Sequence, residues 1–237
     1  MKIALVTLLL SIIFSSCGEN NNNNFITARE SFIKIVLEET VKSCDETGCF
    51  QKTFKYTSSG AVVLFRDKTK VVLTAGHSCS PTDPSKLKIK TNGTVEVESV
   101  IYGYDINKIK HKFKVHKIDN KEDLCLLISD TISGHAIRLA WEPPTLSETI
   151  YNFAAPNGIF AKNMIPLFSG FYSGDLNNMS AYTIPAAQGS SGSVVVNKHG
   201  KLVGMIHSVH SKFESFSLSP TYGSIKKFLE INDGFPW

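Results

Sequence analysis

The chain has 237 residues, 42% of them hydrophobic, which is enough for one large core or two small ones in a globular body. Its net charge of +4 comes from 22 lysines and 3 arginines against 21 acidic residues, too mild a balance for the concentrated basic footprint of a nucleic-acid binder. No metal-ligand spacing stands out among the seven histidines, so neither a metal nor any other cofactor is expected.

Met1-Lys2, the apolar run over residues 3–14 and the small pair Ser15-Ser16 have the layout of a secretory signal over residues 1–16. The apolar run is shorter than the roughly 20 residues that span a bilayer comfortably. Cys17 follows the small residues and resembles the cysteine of a bacterial lipobox. That resemblance implies lipidation of Cys17 and a membrane anchor, whereas an ordinary signal peptide would leave the chain secreted. Residues 17–26 include five asparagines, Asn20 to Asn24, and read as a polar tether behind the anchor. The expected location is outside the cytoplasm, in the periplasm or at the cell surface.

Thr27 and Glu30 have capping-box spacing, and Phe32, Ile33, Val36 and Val41 recur at roughly helical intervals. They predict a helix near 28–43, inside an N-terminal segment 27–50 that ends in a Cys44/Cys49 loop. Beyond Cys49 the pattern turns to period two. Residues 60–65 and 71–74 read as one hairpin, and 87–98, with Asn92-Gly93 at its turn, as a second. Residues 108–117 alternate lysine or histidine with apolar side chains, a pattern expected of an edge strand guarded by charge. Residues 124–128 form a buried strand candidate, and Pro143-Pro144 sits at a break that joins two halves. Further strands are predicted near 149–154, 165–172, 180–184, 193–197 and 201–207, and a short helix at 224–230. Many short strands at regular spacing mean an all-β sandwich or barrel. Besides Cys17 there are four cysteines, which allow three disulfide connectivities in an oxidising compartment.

Three segments carry chemistry. In Gln188-Gly189-Ser190-Ser191-Gly192-Ser193, spaced glycines let the backbone turn tightly around a serine and aim amides at a developing oxyanion. In Thr74-Ala75-Gly76-His77, a histidine ends an apolar strand, placed to enter a cleft. In Glu122-Asp123-Leu124-Cys125-Leu126, a carboxylate opens a buried strand, where an unpaired charge is costly and a partner is needed.

Together the three segments resemble the trypsin-like serine peptidases, in motif and in the order His, Asp, Ser, with spacings of 46 and 68 residues. Ser59-Gly60-Ala61-Val62-Val63, Phe153-Ala154-Ala155-Pro156-Asn157-Gly158 and Leu202-Val203-Gly204 extend the likeness toward the HtrA-like and glutamyl-endopeptidase branches, over about residues 55–232. The resemblance implies two antiparallel six-stranded β-barrels, at 51–140 and 141–222, with an N-terminal helix and a C-terminal helix and tail at 223–237. It implies a serine endopeptidase acting on protein or peptide substrates, with His77, Asp123 and Ser191 catalytic and the Gly189 and Ser191 amides as oxyanion hole. It places Pro185, Ala186, Gln188, His207 and Ser208 among substrate-binding residues. Pro185 occupies the position of a charged selector, so a small or apolar residue is expected before the scissile bond. His207 has a rival role as a binder of a Glu side chain. Ser190 stands where many members carry an Asp that pairs with a new N-terminus, so activity without activating cleavage is expected. If His77 and Asp123 meet, Cys79 and Cys125 lie close, and the implied pairing is Cys44–Cys49 with Cys79–Cys125. The competing expectation is a catalytically silent, lipid-anchored binding protein. An esterase is disfavoured because Val194 to Val196 read as a strand, where an esterase elbow leads into a helix. Oligomeric state is not legible.

Overall fold

A computed structural model of the chain describes residues 21–46, 48–66, 68–83, 94–210 and 213–231. The expected signal segment, Cys17 and the turn expected at Asn92-Gly93 lie outside these residues. Among the described residues, no helix is long and apolar enough to cross a membrane.

The first helix, α1 (Asn21–Glu30), starts inside the expected tether and has Thr27 and Glu30 in its last turn, not at its start, and strand β1 (Phe32–Asp45) replaces the expected helix near 28–43. Ser31 makes the break: its amide and hydroxyl both donate to the Thr27 carbonyl, and the hydroxyl also reaches the His135 carbonyl. The helical spacing misled because β1 is covered on both faces. Ile33, Ile35 and Leu37 enter one core while Phe32 enters another. Periodicity cannot separate a strand buried on both sides from a helix, and the β-branched content (Ile33, Ile35, Val36, Thr40, Val41) settles it. The first barrel therefore begins at Phe32, not near residue 51.

That barrel is closed. With β2 (Gly48–Phe65), β3 (Thr69–Ala75), β4 (Thr94–Tyr104), β5 (Lys110–Asp119) and β6 (Leu124–Ile128), its order is β1-β2-β3-β6-β5-β4. Cys44 and Cys49 face each other at the end of the β1–β2 ladder and are bridged. Cys79 and Cys125 form the second disulfide, inside the core with Val62, Val72 and Leu127. Strand β5 pairs with β4 on one side and β6 on the other, so its lysines do not guard an edge. Lys110, Lys112 and Lys114 point to solvent because His111 and Phe113 face inward.

The second half is a seven-stranded antiparallel sheet, one strand more than expected. Its strands are β7 (Thr149–Phe153), β8 (Leu167–Leu176), β9 (Met179–Tyr182), β10 (Val194–Asn197), β11 (Leu202–Met205), β12 (Ser208–His210) and β13 (Phe213–Pro220), in the order β11-β10-β7-β8-β9-β13-β12. β11 and β12 sit at opposite ends of that order, yet only Ile206 and His207 separate them in the chain. The sheet must curl until its two ends meet there. The backbone shows the seam: Ile206 exchanges hydrogen bonds with Gly192 and Ser193 on one side, and the His207 amide donates to Leu218 on the other. β13 was missed because its inward side chains include Ser217 and Ser219, fully buried and hydrogen-bonded, which removes the apolar alternation.

Helix α2 (Tyr222–Phe228), capped by Thr221, joins the halves. Its Ile225 and Phe228 share one core with Leu73 and Leu124 of the first barrel and Val194 and Leu202 of the second sheet.

Candidate active site

β3 and β6 are neighbours, with Ala75 opposite Leu124, so the residues just beyond that pair are brought together. A single 3-10 turn at Gly76–Ser78 carries His77, and Asp123 stands immediately before β6. The Gly76 amide donates to the Asp123 carbonyl at 2.8 Å and ties the two segments. Asp123 then receives the His77 backbone amide on Oδ1 at 2.7 Å and the His77 ring, through Nδ1, on Oδ2 at 2.8 Å. This grip on Nδ1–H sets the imidazole tautomer and leaves Nε2 as the free basic nitrogen.

The electrostatics follow the geometry. The hydrogen bond to Asp123 raises the His77 pKa above its ordinary value, against the opposing effect of burial. Burial alone would push Asp123 upward, but hydrogen bonds from His207 and His77 outweigh it and hold the carboxyl well below the usual range. Asp123 is thus an anion sharing charge with its neighbours.

Ser191 reaches the same place from the second sheet, in the tight turn before β10. Gly192 has φ +83°, and a Cβ there would lie 2.1 Å from the Ser59 carbonyl and 2.2 Å from Thr74 Oγ1. Gly189 has φ +95°, and a Cβ there would meet the Ala155 carbonyl at 2.5 Å. Only glycine fits either position, because the turn is pressed against the first barrel at Gly192 and against the loop after β7 at Gly189. Asn152 of β7 holds the strand beyond, donating to Ser193 Oγ and the Val194 carbonyl at 2.9 Å each.

Two amides of this turn are aimed by what their peptide carbonyls do. The Gln188 carbonyl accepts from the Asn157 amide at 2.5 Å, and the Ser190 carbonyl accepts from the Ser193 amide at 3.0 Å. A trans peptide points its N–H opposite its C=O. The Gly189 and Ser191 N–H groups therefore point the other way, and neither has a hydrogen-bond acceptor among the described residues. Ser59 secures the turn from the first barrel. Its Oγ donates to the Gly189 carbonyl at 2.8 Å and accepts from the Ala155 amide at 3.0 Å, and its own amide donates to the Ser191 carbonyl at 2.8 Å. The Ser59 carbonyl in turn accepts from Thr74 Oγ1 at 2.8 Å, within two residues of the His77 turn.

His77 and Ser191 line one open cleft of about 300 Å³, with Tyr56, Thr57, Ser58 and Gln188 on its walls. Of the other expected substrate-binding residues, none lines this cleft. Pro185 is exposed and Ala186 packs into the second core beside Val203, because its methyl faces inward. His207 instead lies behind Asp123, with Nδ1 3.4 Å from Oδ2, and Ser208 Oγ is 3.5 Å from the His207 Nε2. Reading the sequence missed the anchoring roles of Ser59, Asn152 and Asn157. Their signal was present only as small or polar residues inside apolar strands or turns. Among the described residues, no group of three metal-ligating side chains comes together.

Solved serine proteases share this architecture. The fold is similar to that of a serine endoprotease from Yersinia pestis, with TM-score 0.63 and 16% identity over 89% of this chain and 65% of that one. It is similar to the Rv3671c protease from M. tuberculosis in its active form, with TM-score 0.63 and 15% identity over 92% of this chain and 87% of that one. An inactive mutant form of the M. tuberculosis protease matches with TM-score 0.61 and 13% identity, over 89% and 90% of the two chains. No family model and no curated protein matches the chain. These likenesses establish the chymotrypsin-like double-barrel fold.

Proposed function

We propose that the chain is a serine endopeptidase of an exported, Cys17-anchored protein, cleaving peptide bonds through an acyl-enzyme on Ser191. The observation that carries this reading is the convergence of three distant segments on one cleft. Asp123 holds His77 through Nδ1 and leaves Nε2 as the base, Ser191 lines the same cleft, and two amides of its turn have no acceptor among the described residues.

The chemistry runs from these residues. Ser191 Oγ attacks the carbonyl carbon of the scissile bond and its proton passes to His77 Nε2. Asp123 stabilises the imidazolium that forms, and the Gly189 and Ser191 amides take the charge that develops on the carbonyl oxygen. Collapse breaks the C–N bond, and His77 returns the proton to the leaving amine. Water, deprotonated by His77, then attacks the acyl-enzyme and frees the new carboxylate. Among the described residues that line the cleft there is no acidic side chain to select Lys or Arg, which supports a small or apolar residue before the scissile bond.

Treatment with a fluorophosphonate beside Ser191→Ala, followed by cleavage-site mapping on a peptide library, tests the reading. Labelling lost in the variant, with peptides cut, is the expected result. Well-folded protein that neither labels nor cuts would leave the silent binding protein instead.

A further inference from the structure

The proposed mechanism uses one imidazole, but two converge on Asp123. His207 Nδ1 stands 3.4 Å from Oδ2, the same oxygen that receives His77 Nδ1 at 2.8 Å. The His207 side chain is 17% exposed against 52% for His77, so it is set behind the carboxylate, away from the open cleft. The chain under it is firmly placed. His207 lies at the seam where the second sheet closes, its amide on Leu218 of β13 and its neighbour Ile206 bonded to Gly192 and Ser193. The backbone that carries His207 is thus clamped to the turn that carries Ser191. On the far side of the ring, Nε2 meets the Ser208 hydroxyl at 3.5 Å.

We infer that His207 is a positioning residue of the site, a second imidazole that holds Asp123 from behind and limits how strongly it pulls on His77. The inference rests on the proposed role of His77 as general base. At 3.4 Å the His207 contact is longer than a tight hydrogen bond, so it acts on the carboxylate as a weak donor set behind Oδ2. The titrating groups packed against the ring are Asp123, from the β6 end, and His77 across its carboxylate, from the β3 end. β13 holds the His207 backbone, whose amide donates to the Leu218 carbonyl, and the Ser208 hydroxyl lies beside the ring.

The sign is the same in either protonation state. A donor or a cation on Oδ2 withdraws charge from the carboxylate, which then stabilises the His77 cation less. Intact His207 therefore keeps more of His77 as free base at mildly acidic pH. The same contact helps hold Asp123 ionised, as its depressed pKa shows. The consequence is a site whose working range extends further toward acid than a single His–Asp pair would allow.

The test compares wild type with His207→Ala and His207→Gln, the latter keeping a side-chain N–H donor. The rate of fluorophosphonate labelling is measured against pH, which requires no knowledge of the natural substrate. His207→Ala should move the acid limb to higher pH by about half to one unit and slow labelling at the plateau several-fold. His207→Gln should recover most of both. A purely structural role would lower thermal stability and active fraction but leave the limb where it was. An unmoved acid limb in folded His207→Ala, with wild type labelling normally, overturns the inference and leaves the peptidase reading intact. NMR titration of the His77 ring in the same proteins decides the matter independently of activity. If wild type does not label, the peptidase reading fails. An unchanged His77 pKa in His207→Ala then overturns the inference as well, and a raised one supports it.

Discussion

Ser59→Ala probes the joint between the two halves of the site. Ser59 is fully buried, and its Oγ is the hydrogen-bond partner of two buried backbone groups, the Ala155 amide and the Gly189 carbonyl. Alanine keeps the backbone and nearly the volume, so the loss is confined to those two bonds. A buried polar group left unpaired costs about 1–3 kcal/mol, so the pair should cost roughly 2–5 kcal/mol. For a domain of this size that lowers Tm by roughly 5–15 °C. The freed Gly189 carbonyl also lets the turn rotate, and the amides aimed at the oxyanion lose their alignment. Labelling of Ser191 should then slow by about tenfold or more at temperatures where the variant is folded. Thermal unfolding by circular dichroism and fluorophosphonate labelling kinetics, on one preparation, read both effects. A Tm within about 1 °C of wild type together with an unchanged labelling rate would refute the assignment of Ser59 as the anchor.

Asp123→Asn should leave the fold intact while letting the wrong His77 tautomer form, and peptide cleavage should drop by about ten-thousand-fold in kcat. Because Asp123 raises the pKa of His77, cleavage should fall on acidification through a midpoint above the ordinary histidine value of about 6.5, read from kcat/KM against pH. The matching stability has two limits: the His77 part is present below the unfolded histidine pKa and lost as pH rises through the raised one. The Asp123 part is present above the unfolded carboxyl pKa and lost as pH falls through the depressed one, and denaturant midpoints across pH should show both. Of the disulfides, Cys44–Cys49 sits at an exposed hairpin end and Cys79–Cys125 inside the core. Graded reduction followed by thiol alkylation and mass mapping should open the first bridge before the second. Replacing Cys79 and Cys125 by alanine should cost about 2–5 kcal/mol of stability in a denaturant titration.

The residues proposed to carry chemistry stand out in the sequence because each demands a local pattern. A serine in a strained turn needs Gly189 and Gly192, and a histidine at a strand end needs small residues before it. The strand-rich body was legible for a similar reason, since period-two alternation is a local feature, whereas the cysteine pairing followed only from the resemblance, which brings His77 to Asp123. The stretch after α1 was not, because burial of β1 on both faces erased the alternation that marks a strand. β13 escaped because buried serines took the place of apolar residues.

Sequence by itself thus determined the all-β class, the order of the three chemical segments and the types of residue they bring. Only the tertiary structure decided which of those residues meet. The pairing of Ala75 with Leu124 puts His77 on Asp123, and the packing of Ser59 against Gly189 sets the Ser191 turn against the first barrel. The curl of the second sheet carries His207, expected to face substrate, to the back of the Asp123 carboxylate. These contacts join residues far apart in the chain. Their positions depend on strand register and sheet closure, which arise from packing the whole core and leave no mark in any short segment.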